Sequence, residues 1–390
     1  MVESKSFGRK QPRIIALLFL FLFNAVLSVA SAQDFFSELT QLDKIKSSDF
    51  HKFESQISKM EQRLSVFHAD ELAYYNFLKA YSYVYKGKYA EALLIIEPYL
   101  VANTNTVIGF RSTALAVNTL LLSRRYLDAF TYLERLINLL PQINQPMARE
   151  QGLRVIAMMY NSIDRYDLSL SYLEQLESES PSVVTKCAAK QLKIDAMMAS
   201  GQYDKVISEG GAAIQYCVQH NELLWANLIR SAQATSYLEQ GNVQNAKQLI
   251  DGYYAEVSKV NYPRLQAEFD LVSAQIYQDL NLGDNAVIYA EKVLYNEATQ
   301  GMILPRVKAL LLLYQVYKTS ADFKKALEYH EQYTAAFTAY MDDKSAQQMA
   351  YHTAHSEILA QNQKIALLDK DNQLLQYEQT ALKHQAAFNK

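Results

Sequence analysis

Gly87-Lys-Tyr-Ala-Glu-Ala92 is the phrase that decides the fold, because versions of it return down the chain. They are Arg125-Tyr-Leu-Asp-Ala129, Arg165-Tyr-Asp-Leu-Ser169, Gly201-Gln-Tyr-Asp-Lys-Val206, Gly241-Asn-Val-Gln-Asn-Ala246, Leu282-Gly-Asp-Asn-Ala286 and Asp322-Phe-Lys-Lys-Ala326. Their last residues are spaced by 37, 40, 37, 40, 40 and 40 positions. Nine residues before each lies a large side chain: Tyr83, Leu120, Tyr160, Met197, Tyr237, Tyr277 and Tyr317. One helical turn earlier still the residue is smaller or aliphatic (Ala80, Val117, Ala157, Ile194, Ala234, Ala274), with Tyr314 the exception. Two residues three apart share a helix face. The pattern therefore predicts a helix A, a tight turn, and a helix B that opens on a small residue where two backbones approach. One such hairpin cannot bury its faces alone, so hairpins stack into a solenoid.

The composition agrees. The 390 residues include 11 Gly and 7 Pro, against roughly 27 and 20 at average usage. So few turn formers exclude a many-stranded sandwich, barrel or propeller. Half the residues are hydrophobic and a fifth charged, which excludes global disorder. The net charge is −3 and no basic stripe is present, so nucleic acid is not an expected partner.

These repeats resemble the tetratricopeptide repeat over about residues 73–340, in some seven units, with Tyr74–Leu100 the best match. The units are longer than the family's, and its Trp-x-x-Leu-Gly opening is absent. The resemblance implies an all-α, helical-hairpin solenoid whose A helices line a concave groove for a peptide or protein. Residues 33–72 are expected to form capping helices, and 341–390 a long C-terminal helix.

Residues 1–32 read as an export signal. Lys5, Arg9, Lys10 and Arg13 precede an apolar run from Ile14 to about Val29, and Ala30-Ser-Ala32 offers a cleavage site after Ala32. The alternative is an uncleaved anchor. No later apolar run is long enough to cross a membrane. Export makes the periplasm of a Gram-negative bacterium the expected location. It also makes Cys187 and Cys217, the only two cysteines, a candidate disulfide. One falls near the start of a helix A and the other near the end of its helix B, and those places adjoin in an antiparallel hairpin. Two buried thiols are the alternative.

Within the expected groove the repeat places Tyr81, Arg111, Asn118, Gln151, Arg154, Asn161 and Asp195, with Tyr74, Phe77, Gln191, Gln275 and Lys308 on the same face. Arg111, Asn118, Arg154 and Asn161 come from neighbouring units. They suit the clamping of a carboxylate or an extended peptide backbone; an ordinary solvated face is the alternative.

From Asp322 to Lys390 no Pro or Gly occurs, so one long helix or two joined near Met341-Asp-Asp-Lys-Ser345 is expected. Heptads in its second half put Ile358, Ile365, Asn372, Gln379 and Ala386 at one seam position and Gln361, Leu368, Leu375 and Leu382 at the other, with Gln361 and Gln379 weakening the seam. Ile with Leu and a buried Asn favours a parallel, two-stranded homodimer; a lone or back-folded helix is the alternative. Signal, solenoid, cysteine pair and the helix Asn362-Gln-Lys-Ile-Ala-Leu-Leu-Asp-Lys-Asp-Asn372 together resemble the periplasmic input region of bacterial signalling proteins of the GGDEF diguanylate cyclase or sensor kinase type. That resemblance implies a sensory role. No GGDEF-type sequence and no kinase nucleotide site occurs among the 390 residues, so the family's enzymatic activity does not carry over. What remains is an input module without its output domain or, alternatively, a stand-alone periplasmic scaffold or adaptor.

No motif for nucleophilic, phosphoryl-transfer or metalloprotease chemistry appears, and neither enzyme activity nor a cofactor is expected. His352 and His355, one turn apart, read as surface residues rather than metal ligands. Asp70-Glu71 and Asp342-Asp343 read as helix starts.

Overall fold

The computed structural model describes residues 35–388 except 47–48, 102–105, 260–261 and 296–302, without the side chains of residue 101 or of 381–388. The expected export signal, residues 1–32, lies outside the described residues. The described chain is all α, a helical-hairpin solenoid ending in a long helix. It divides into two compact bodies, one ending at Ile96 and one beginning at Glu97.

The first body holds α1 (Phe35–Ile45), α2 (Phe50–Met60), a short 3-10 turn (Glu61–Val66), α3 (Ala69–Tyr85) and most of α4 (Tyr89–Val101). Leu39, Phe53, Ile57 and Phe77 form its fully buried centre. Asp70 and Glu71 occupy the first turn of α3, as expected of a helix start. Tyr74 and Phe77, expected in a groove, are core residues instead. Phe77 is fully buried, and Tyr74 donates to Asp43 at 2.7 Å. α1 and α2 pack against α3 and close over that face.

The second body stacks six hairpins. They pair α5 (Val107–Leu122) with α6 (Tyr126–Leu139), α7 (Pro146–Ser162) with α8 (Tyr166–Glu179), and α9 (Val183–Ala199) with α10 (Tyr203–Gln219). The series continues with α11 (Leu223–Glu239) and α12 (Val243–Val257), α13 (Pro263–Asp279) and α14 (Gly283–Tyr295), and α15 (Ile303–Thr319) and α16 (Phe323–Phe388). Local chemistry sets the starts. Pro146 and Pro263 occupy the first helical position, where a missing N–H costs nothing. Thr106 and Ser182 accept from backbone N–H groups three residues on, at 3.0 and 3.3 Å.

The turn between helices A and B explains the repeat. In all seven, the carbonyl of the large landmark residue accepts the N–H of the residue five positions on, at 2.8–3.0 Å, from Tyr83 with Lys88 to Tyr317 with Asp322. That bond closes a Schellman motif, which requires a left-handed residue just before the donor. Gly87, Arg124, Asp164, Gly201, Gly241, Asn281 and Ala321 hold that place with φ of 58–76°. The small residues opening helix B are buried, Ala129, Ser169, Ala246 and Ala286 completely. Side chains of consecutive hairpins merge into continuous apolar clusters such as that of Leu228, Ile250, Leu265 and Phe269. The single tryptophan, Trp225, packs partly buried between two such clusters.

Cys187 and Cys217 are disulfide-bonded, with Cα atoms 5.7 Å apart and neither residue exposed. The bond ties α9 to α10, the hairpin partners the sequence indicated. Among the described residues no helix is long and apolar enough to cross a membrane.

α16 is one uninterrupted helix of 66 residues, about 100 Å long at 1.5 Å per residue. Asp342 and Asp343 lie inside it rather than at a helix start. The structure puts Asp343 to another use. It accepts from Tyr126 at the beginning of α6 and lies 3.7 Å from Arg124. The helix thus returns from the last hairpin to the first two of the same body.

Candidate functional site

The A helices carry a polar ladder. Counting back nine residues from the six landmarks of the second body gives Arg111, Gln151, Ala188, Leu228, Glu268 and Lys308, so the line is polar on the first two and last two A helices and apolar on α9 and α11. Neighbours on this line meet. Arg111 Nε donates to Gln151 Oε1 at 2.9 Å, and Gln151 Nε2 donates to the Arg111 carbonyl at 3.3 Å. Lys308 acts electrostatically on Glu268.

A second link spans a whole hairpin. Arg264, in the first turn of α13, donates to Asp195 of α9 at 2.9 Å and to Glu268 at 2.8 Å. α11 lies between those helices, packed against both. Its small Ser231, Ala232 and Ser236 are buried. The site is deep but wet: about a quarter of the Asp195 and Glu268 side chains remains exposed. Burial nonetheless pushes the Glu268 carboxyl up to about 7, against the pull of Arg264. Burial likewise raises Asp195, opposed by Arg264. Two carboxylates around one guanidinium form a polar floor, and burial disfavours the charged form of both.

The sequence-derived groove residues divide between the two bodies. Tyr81, half-buried, belongs to the first. In the second, Arg111 is 3 % exposed and engaged with Gln151. Arg154 is exposed, and Asn118 and Asn161 are half-buried, with Asn161 Oδ1 unpaired by any protein donor. Gln191 is buried and Asp195 is one of the two acids of the floor. Sequence reasoning missed Arg264 and Glu268. Their repeat positions signal a groove only once the curvature brings α9 and α13 together.

Elsewhere, an open cleft of about 520 Å³ is lined by Tyr254, Gln266, Asp270 and Lys292 among others. Its polar groups satisfy one another: Tyr254 donates to Asp270, and Lys292 donates to the Tyr254 oxygen at 3.1 Å. Among the described residues no three acids, histidines or cysteines are grouped to hold a metal ion. His355 meets Glu134 at 3.1 Å, while His352 is exposed.

The return of α16 forms the other candidate surface. Lys344 donates to the Ser162 carbonyl and to Asp164, each at 2.7 Å. Gln348 donates to Asp164 at 3.3 Å, and Arg165 to the Tyr351 hydroxyl at 3.5 Å. The Tyr351 ring lies edge-on to Phe130 and Tyr160. Tyr351 and Ala354 are buried; residues 361–380 are exposed on every face. Of the heptad seam, Ile358 is half-buried, while Ile365, Leu368, Asn372 and Leu375 are exposed. The Leu382 side chain lies outside the described residues.

Solved structures share this fold. A Rap protein complexed with competence and sporulation factor is 13% identical, with 86% of this chain and 99% of that one covered at a TM-score of 0.62. The apo form of the quorum sensor NprR from B. thuringiensis is 13% identical, with 83% and 95% covered at 0.56. A signal-transduction ATPase with a tetratricopeptide repeat sensor, from Pyrococcus horikoshii, is 13% identical, with 79% and 48% covered at 0.51. At such identity the likeness is one of fold, and the fold is a tetratricopeptide-like solenoid. No family model matches the sequence, and no curated protein matches it.

Proposed function

We propose that this chain is a non-catalytic binding module that takes an extended peptide or protein segment on its A-helix face. The observation that carries the reading is the polar floor of Asp195, Arg264 and Glu268, spanning α9 to α13 and still open to water. Arg154, Asn118 and Asn161 continue the polar face on the preceding hairpins. The fold supports it too, since a Rap protein of this architecture was solved holding a factor. The sequence at residues 1–32 and the disulfide fit an exported protein of the periplasm. In that setting the module is the sensory input of an envelope signalling assembly, with the C-terminal helix as its pairing and output element.

A displayed library of random extended peptides, panned against the purified chain, tests this. The expected outcome is an enriched consensus that binds the parent and loses at least about tenfold in affinity with Arg154→Glu, at unchanged helical content. Arg111 is unsuitable for that substitution, because it is buried and its reversal would strike the packing. A panning that yields no consensus, or one indifferent to Arg154, overturns the groove reading.

A further inference from the structure

One stripe of α16 is used three times over. Tyr329, Tyr333 and Ala336 pack on the cluster built around α15. Lys344, Gln347, Tyr351 and Ala354, at three- and four-residue steps, then face the turns and helices of the first two hairpins. The same steps continue in phase through Ile358, Gln361, Ile365, Leu368, Asn372 and Leu375. There the solenoid has ended, and the stripe has no partner within the chain among the described residues. Ile365, Leu368 and Leu375 are more than half exposed. Residues 361–380 form a helix exposed on every face, and a helix without an apolar contact draws little stability from the chain, so this stretch calls for a partner.

We infer that the occupant of the free stripe is a second copy of this chain, paired in parallel and in register from Ile358 onward. This deepens the proposed function by naming the partner of its output helix. The positions flanking the stripe decide between registers. In register, Lys364 faces the second copy's Asp369, twice by symmetry. Glu357 faces Asn362 and Asp371 faces Gln376, so no like charges meet. A slip of one heptad sets Asp371 against Asp369 on one side and Glu357 against Asp369 on the other, both repulsive. Asn372 meets its own copy only in register, and there it satisfies its amide. The pair begins at Ile358 because the solenoid already holds the stripe as far as Ala354. The two solenoids therefore stay attached to their own helices while the free ends join.

Sedimentation of the full chain over a wide concentration range tests this. The expected result is a reversible dimer. Lys364→Asp alone and Asp369→Lys alone each weaken it roughly tenfold, and the two together restore it. Leu368→Glu abolishes it. All four variants alter exposed positions and leave the solenoid's packing alone. A monomer at every concentration overturns the inference. So does a dimer that ignores the single reversals, or one that the double reversal fails to restore. Peptide enrichment separates this from the groove reading. Dimerisation without a peptide consensus removes the groove alone, and a consensus on a strictly monomeric chain removes the pairing alone.

Discussion

Ala321 carries a backbone that alanine disfavours, with φ of 61° at the left-handed place of the last turn. Its equivalents Gly87, Gly201 and Gly241 meet that requirement without a Cβ, and Asn281 and Asp164 have short polar side chains that tolerate it. Ala321→Gly should therefore stabilise the last hairpin by about 0.5–1 kcal/mol, read as a raised denaturation midpoint. A lowered midpoint would contradict the strain argument. Glu268 makes a second prediction, with its sign fixed by burial. Its folded pKa, about 7, lies above the ordinary 4.5. Its contribution to stability is thus present below pH 4.5 and lost as pH rises through 7. Glu268→Gln should flatten the decline over that range and leave the chain about 1–2 kcal/mol more stable at pH 8. Urea melts at pH 5 and pH 8 provide the comparison; an equal loss at both would show that its bond to Arg264 dominates instead. The landmarks of the turns were legible because each makes the same backbone bond. The floor was only half legible. Asp195 follows the repeat, but its partner Arg264 lies 69 residues away at the other end of a helix, and no local pattern links them.

Among the elements, α16 shows where reading by periodicity stops. Its helicity was plain from the absence of Pro and Gly, and its second-half heptads from Ile and Leu spacing. Back-folding was one of the readings left open, but the place where the helix docks was not legible, because the contact depends on curvature accumulated over six hairpins. The residues that make it, Asp343, Lys344 and Gln348, look like an ordinary solvated face. Asp342-Asp343 misled for the same reason: a carboxylate pair suits a helix start, but here Asp343 answers a tyrosine 217 positions away. Tyr351 is the apolar anchor of that contact, at 7 % exposure. Tyr351→Ala should cost about 2 kcal/mol of local stability. In hydrogen exchange, protection should fall across residues 343–355 and the start of α6, while α9–α12 keep theirs. Unchanged protection at 343–355 would mean that the polar contacts alone hold the helix.

Across the molecule, the repeat period, the all-α class and the cysteine pairing were visible in one dimension, because each is a relation within a hairpin or between neighbours. The return of the last helix to the first hairpins of its body is a relation between ends. A stacked array is held by nearest-neighbour terms, and its terminal repeats ordinarily open first at little expense. Joining the ends changes that arithmetic. Hairpin α15–α16 cannot fray without also releasing the turns at Arg124 and Asp164, so the line of repeats behaves as a closed circuit in which every interruption breaks two links. Any ligand that alters the pitch of the stack must work against that circuit, and a tilt of the docked part of α16 is carried as displacement to its far tip, some fifty ångströms beyond the last contact at about 1.5 Å per residue.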